Sequence, residues 1–141
     1  MVHWVGVSGP TKPQLLDPTS APHGPGSLLE PILEVRFFQT IRGNEPVRDW
    51  LKALHKDDRK RIGEDIKTAQ FGWPLGMPLV RKLEKNLWEV RTDITDGIAR
   101  TLFTVIGKQM VLLHAFVKKS QKTPKAELET ARKRLKLLED T

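Results

Sequence analysis

The 141-residue chain contains no cysteine and no tyrosine. Without cysteine there are no disulfides and no thiolate metal sites, and a reducing, cytoplasmic setting fits that composition. Its histidines, His3, His23, His55 and His114, are scattered, so a histidine metal centre is not expected. Long apolar runs are missing too. Nothing approaches the roughly 20 apolar residues of a membrane span, and the first residues lack the basic start and apolar core of a secretory signal. No P-loop, dinucleotide-binding GxGxxG or HExxH motif occurs, and no carboxylate pair stands out for glycosidase-like work. These absences leave a soluble cytoplasmic protein with no cofactor, no metal and no membrane attachment as the expectation.

What the chain has is positive charge. Lys and Arg number 24 against 17 Asp and Glu, a formal net charge of +7. Such a surface attracts anionic partners through long-range fields and counterion release. Nucleic acid ranks ahead of membrane, because no basic amphipathic helix with an aromatic face is present.

Residues 1 to 30 differ from the remainder. Prolines at 10, 13, 18, 22 and 25 and glycines at 6, 9, 24 and 26 leave scarcely any apolar period. Such a segment cannot bury enough surface to offset its ordering entropy. It reads as a disordered extension, or as the product of a start codon placed too far upstream. Residues 31 to 141 then form one domain, long enough for a real core.

Within that domain Leu33, Val35 and Phe37 alternate with charged residues, the period of a strand. Asn44 is placed to cap a helix containing Pro46, in which Val47, Trp50, Leu51 and Leu54 form one apolar stripe. Ile62, Ile66 and Ala69 mark a second helix, which Phe71 to Gly76 must end. Trp73 is expected to plug the core from that loop. Arg81, Lys82 and Lys85 make a basic patch. Three strands follow, Leu87 to Thr92, Ile98 to Ile106 and Gln109 to Val117, joined by loops short enough for antiparallel hairpins. A last helix runs from Pro124 to about Leu138, with Thr123 as its N-cap. The order β-α-α-β-β-β-α gives an α+β fold, a small antiparallel sheet packed against helices.

The stretch from Met110 to Leu128 carries the chemistry. An apolar strand holding His114 turns abruptly basic at Lys118, Lys119 and Lys122 before the last helix begins. Strand alternation sets Leu87, Glu89 and Arg91 on one face and Trp88 and Val90 on the other. It sets Arg100 with Leu102, and His114 with Leu112, Phe116 and Lys118. If Trp88, Phe103 and Val117 meet the helices, Arg91, Arg100, His114 and Lys118 emerge on the opposite, more open face. Cations converging there suit a phosphate backbone. Each also has a plainer role: a hydrogen-bonded core histidine, Arg91 paired with Glu89 or Asp93, or lysines guarding a sheet edge.

LWEVRTD, GIARTLF and LLHAFVKKSQKTPKAELETARKR resemble the RelE/ParE superfamily of toxins from type II toxin–antitoxin pairs, in its phage-derived HigB-like branch. NEPVRDWLKAL and MPLVRKLEKNLWEVR resemble the corresponding helix and pre-strand segments, so the likeness spans roughly residues 33 to 138. It implies a RelE-like, microbial RNase-like fold and a metal-independent endoribonuclease that cleaves mRNA on the ribosome. It also implies a helix-turn-helix antitoxin as partner. By position the implied site residues are Arg91, Arg100, His114, Lys118 and Lys119, expected to be catalytic, and Lys122, expected to bind RNA; the basic patch of Arg81, Lys82 and Lys85 and the ring of Phe116 are expected to add to RNA binding. Related toxins often place a tyrosine just before the strand arginine, where this chain has Ala99. Base stacking then falls to Phe116, Trp73 or the ribosome. A ParE-like gyrase inhibitor and a non-catalytic RNA- or antitoxin-binding protein are the competing readings.

Overall fold

The computed structural model describes residues 30–118 and 123–140. The expected extension over residues 1–30 therefore lies outside the described residues except for Glu30, as do Lys119 and Lys122.

Eight elements follow one another: β1 (Glu34–Phe37), α1 (Pro46–Lys52), α2 (Lys56–Gly72), β2 (Val80–Glu84), β3 (Leu87–Ile94), β4 (Gly97–Ile106), β5 (Gln109–Lys118) and α3 (Lys125–Glu139). They build the expected α+β fold around one five-stranded sheet of order β1-β5-β4-β3-β2. Four strands form an antiparallel meander, and β1 adds to β5 in parallel. Strand β2 was hidden in the sequence: its residues Arg81 and Lys82 read as a basic patch, yet Val80, Arg81 and Lys82 pair in register with Val90, Glu89 and Trp88.

The sheet is covered on both sides. One face packs on α1 and α2 through Val47, Leu51, Ile62, Ile66 and Ala69, which meet Val90, Phe103, Met110 and Leu112. Trp73 enters this core edge-on, its ring centroid 5.1 Å from that of Trp88 and 5.7 Å from that of Phe103. Edge-to-face rings add about 0.5–1.5 kcal/mol beyond the burial itself. The other face packs on α3, where Ala131, Leu135 and Leu138 meet Leu87, Leu102, Val111, Leu113 and Phe116. The protein is thus three layers, α1 and α2, sheet, then α3. No helix among the described residues is long and apolar enough to cross a membrane.

Two local departures matter for the site. The β4–β5 register shifts between Leu102 and Phe103, so Leu102 pairs with His114 while Phe103 pairs with Leu112. This bulge leaves Leu113 as the extra residue. Leu113 and His114 both turn toward α3, whereas Leu112 belongs to the α1–α2 core. Strict alternation had grouped His114 with Leu112, and the bulge corrects that grouping. The hairpin joining β3 and β4 ends on Gly97, at φ +149°, where a Cβ would come within 3.2 Å of the Lys118 carbonyl oxygen. Only glycine lets this hairpin close against the end of β5.

Candidate functional site

Strand register assembles the basic side chains on the α3 face of the sheet. Arg91 on β3 pairs with Arg100 on β4, and Arg100 pairs with Phe116 on β5. In the adjacent row Arg81 pairs with Glu89, Glu89 with Leu102, and Leu102 with His114. Lys118 closes β5 opposite Ile98. The expected convergence of Arg91, Arg100, His114 and Lys118 on one face holds, and Arg81 joins them.

That face is less open than alternation implied, because α3 lies on part of it. The Arg100 and Glu89 side chains are both 0% exposed. Arg100 Nη1 donates to Thr123 Oγ1 at 3.1 Å, and the Thr123 hydroxyl donates to Glu89 Oε1 at 3.0 Å. Glu89 Oε2 stands 3.6 Å from Arg100 Nη1. Burial pushes the Arg100 guanidinium below its ordinary value; Glu89 opposes that, and Arg91 and Arg81 reinforce it. A guanidinium remains charged through such shifts. Arg100 is therefore a fixed buried cation, and Arg91, Arg81 and Lys118 are its partly exposed neighbours.

Thr123 was expected to cap α3. Instead Pro124 is the N-cap residue, with no side-chain cap bond, and the Thr123 hydroxyl is spent on the Arg100–Glu89 pair. The position of Asn44 is corrected likewise: Glu45 occupies the N-cap of α1, and the Asn44 N–H donates to Thr40 Oγ1.

His114 is held from both sides. Its Nε2 lies 2.7 Å from Glu127 Oε1, and its Nδ1 lies 3.3 Å from Arg134 Nη1. A carboxylate accepts and a guanidinium only donates, so Nε2 carries the hydrogen and Nδ1 offers its lone pair to Arg134. Arg134 Nη1 also donates to the Leu113 carbonyl at 2.7 Å, and its guanidinium lies over the Phe38 ring at 5.7 Å. Phe116 stacks on the imidazole, with centroids 5.8 Å apart and planes inclined by 27°. Phe116 is itself buried, 6% exposed, so it packs the histidine rather than offering a free stacking surface.

The remaining basic residues divide. Lys82 lies over Trp88 at 5.9 Å, which puts it on the α1–α2 side, away from Arg91 and Arg100. Lys85 is exposed in the β2–β3 turn. Nearby, Arg132 grips Glu84 through two hydrogen bonds of 2.8 and 2.7 Å, tying α3 to β2. Sequence reasoning missed Thr123, Glu127 and Arg134, all on or beside α3. Their polar residue types at helical spacing were the available signal.

The segment carrying this geometry is also the segment that matches a known family. Residues 49–136 match the phage-derived Gp49-like proteins (DUF891). The chain belongs to the Gp49-like family. No curated protein matches it. Gp49-like proteins form a RelE-like, toxin-type family associated with toxin–antitoxin systems. The matched span takes in every strand of the meander and most of α3, so the cationic rows, the Thr123 relay and the His114 brace all lie within the Gp49-like region. Among the described elements, only β1 and the start of α1 fall before it.

Proposed function

We propose that this Gp49-like protein is the toxin of a type II toxin–antitoxin pair, of the HigB-like branch, and that it cleaves mRNA on the ribosome without a metal ion. The observation that carries the reading is the pairing of Arg91 with Arg100, flanked by Arg81 and Lys118, on one face of the sheet. A helix-turn-helix antitoxin is the proposed silencing partner, and residues 31–141 are the proposed toxin domain.

Metal-free RNA cleavage uses the ribose 2′-hydroxyl as nucleophile. The 2′-oxygen bonds to phosphorus, the bond to the 5′-oxygen breaks, one proton leaves the 2′-oxygen and one reaches the 5′-oxygen. The products are a 2′,3′-cyclic phosphate and a 5′-hydroxyl. Charge builds on the phosphorane oxygens, where a fixed donor contributes most. Arg91 is proposed to touch the phosphate, with Arg100 buried beside it and its charge partly offset by Glu89. Lys118, and Lys119 and Lys122 after it in sequence, are proposed to hold the RNA and move the protons, with Arg81 and Lys85 extending the basic track. His114, with both ring nitrogens bonded, braces α3.

Induced expression of the chain beside an Arg91→Ala variant, with growth followed and cellular 5′ ends mapped, tests this. Growth arrest with cuts inside translated messages, absent from the variant, supports the nuclease. Damaged DNA with intact RNA would move the assignment to a gyrase inhibitor, and intact messages with normal growth to a non-catalytic binder.

A further inference from the structure

We infer that Thr123 is a positioning residue for the arginine pair, an inference that rests on the proposed function for its catalytic consequence. The Arg100–Glu89 ion pair is wholly buried, yet its closest charged atoms are 3.6 Å apart. The Thr123 hydroxyl spans that gap, accepting from Arg100 Nη1 at 3.1 Å and donating to Glu89 Oε1 at 3.0 Å. One hydroxyl thus bridges a buried cation and one oxygen of a buried carboxylate, while the other oxygen, Glu89 Oε2, has no hydrogen bond among the described residues. In a low-dielectric interior such a relay is stronger than in water, and its loss leaves both partners short of a bond.

The relay also joins two elements distant in sequence. Arg100 and Glu89 belong to the meander, and Thr123 immediately precedes the Pro124 cap of α3. The hydroxyl therefore fixes the start of α3 against the sheet and fixes the plane of the Arg100 guanidinium, the in-register neighbour of Arg91. Hydrogen bonds within α3 do not need the Thr123 side chain, since Pro124 supplies the cap carbonyl to Leu128 N–H at 3.1 Å. Its hydroxyl serves the arginine rather than the helix.

Thr123→Val keeps the branched shape and removes the hydroxyl, and Thr123→Ser restores the hydroxyl. Nitrogen-15 spectra of the full chain would resolve hindered rotation of the Arg100 guanidinium. Wild type and Thr123→Ser are expected to show it and Thr123→Val to lose it, with circular dichroism confirming that all three are folded. In cleavage assays, Thr123→Val is expected to lower kcat about tenfold or more with KM nearly unchanged, and Thr123→Ser to recover it to within about twofold. Unchanged guanidinium rotation in Thr123→Val, or equal kcat losses in Val and Ser, overturns the inference. If wild type cleaves nothing, the proposed function fails, and the guanidinium spectra still decide whether Thr123 orients Arg100. Should Thr123→Val fail to fold, the Ser variant against Thr123→Ala decides by the same spectra.

Discussion

Arg91 and Arg100 face one another from neighbouring antiparallel strands, two guanidinium-bearing side chains in register on one side of the sheet. Like charges directly opposite one another weaken a strand pair. Glu89 offsets Arg100 from the next row, and α3 covers that pair through Thr123. An arrangement that costs stability and concentrates positive charge is suited to an anion. It also sets a buried arginine, held by Glu89 and Thr123, beside a partly exposed one, and the proposed function assigns phosphate contact to the latter.

Replacing Arg91 by Ala should therefore lower cleavage by about 100-fold or more, in line with loss of one charge-stabilising donor. The melting temperature should fall less than on loss of Arg100, because Arg91 is half-buried and Arg100 is fully buried. Steady-state cleavage alongside thermal melts checks both halves. An unaltered cleavage rate would remove Arg91 from the site.

Arg100→Ala behaves differently. It leaves the Glu89 carboxylate buried without its counter-charge and should cost about 3–5 kcal/mol of stability. The double change Arg100→Met with Glu89→Leu should cost clearly less than Arg100→Ala alone, since no buried charge is left behind. Urea unfolding of wild type and the two variants measures this, and equal destabilisation of single and double variants would contradict the buried-pair account.

The contrast between those arginines shows where the sequence was readable. Alternation correctly placed Arg91 and Arg100 on one face, because the strand period fixes side chains without knowledge of partners. It could not reveal that Arg100 is fully covered and Arg91 only in part. That depends on where α3 lands. Alternation also placed His114 with Phe116 and Lys118, but the β5 bulge defeated it just before His114, where Leu113 rather than Leu112 shares that face. Strand β2 was missed because its charged residues disguise an edge strand. Thr123 before Pro124 carried a good capping signal, but a buried ion pair nearby made the stronger claim on its hydroxyl.

His114 is bonded to Glu127 and faces Arg134, so His114→Ala should act first on stability, by about 1–3 kcal/mol for the groups left without partners. Cleavage should fall far less than in Arg91→Ala. Chemical denaturation and cleavage rates measured on the same samples separate the two effects. Wild-type stability with a 100-fold loss of rate would instead make His114 an acid or base in the reaction.

Two carboxylates give opposite pH signatures. The hydrogen bonds from Arg132 hold Glu84 below its ordinary value of 4.5, so the contribution of this pair is present above pH 4.5 and is lost as pH falls further. Burial raises Asp65 above its ordinary 3.8, partly relieved by Thr92, so its ionisation opposes folding at neutral pH and that cost is relieved in acid. Glu84→Gln should destabilise at pH 7 and converge with wild type in acid. Asp65→Asn should stabilise at pH 7 and lose its advantage in acid. Thermal melts between pH 3 and 7 test both, and a reversed order for either variant contradicts its assignment.

The most direct test of the central claim is the chemistry of the cut ends. Messages recovered after brief induction of the full chain should carry 2′,3′-cyclic phosphates and 5′-hydroxyls at sites within translated regions, and Arg91→Ala should yield none. Intact messages, or cuts bearing 5′-phosphates that persist in the Arg91 variant, would contradict cleavage by the paired arginines.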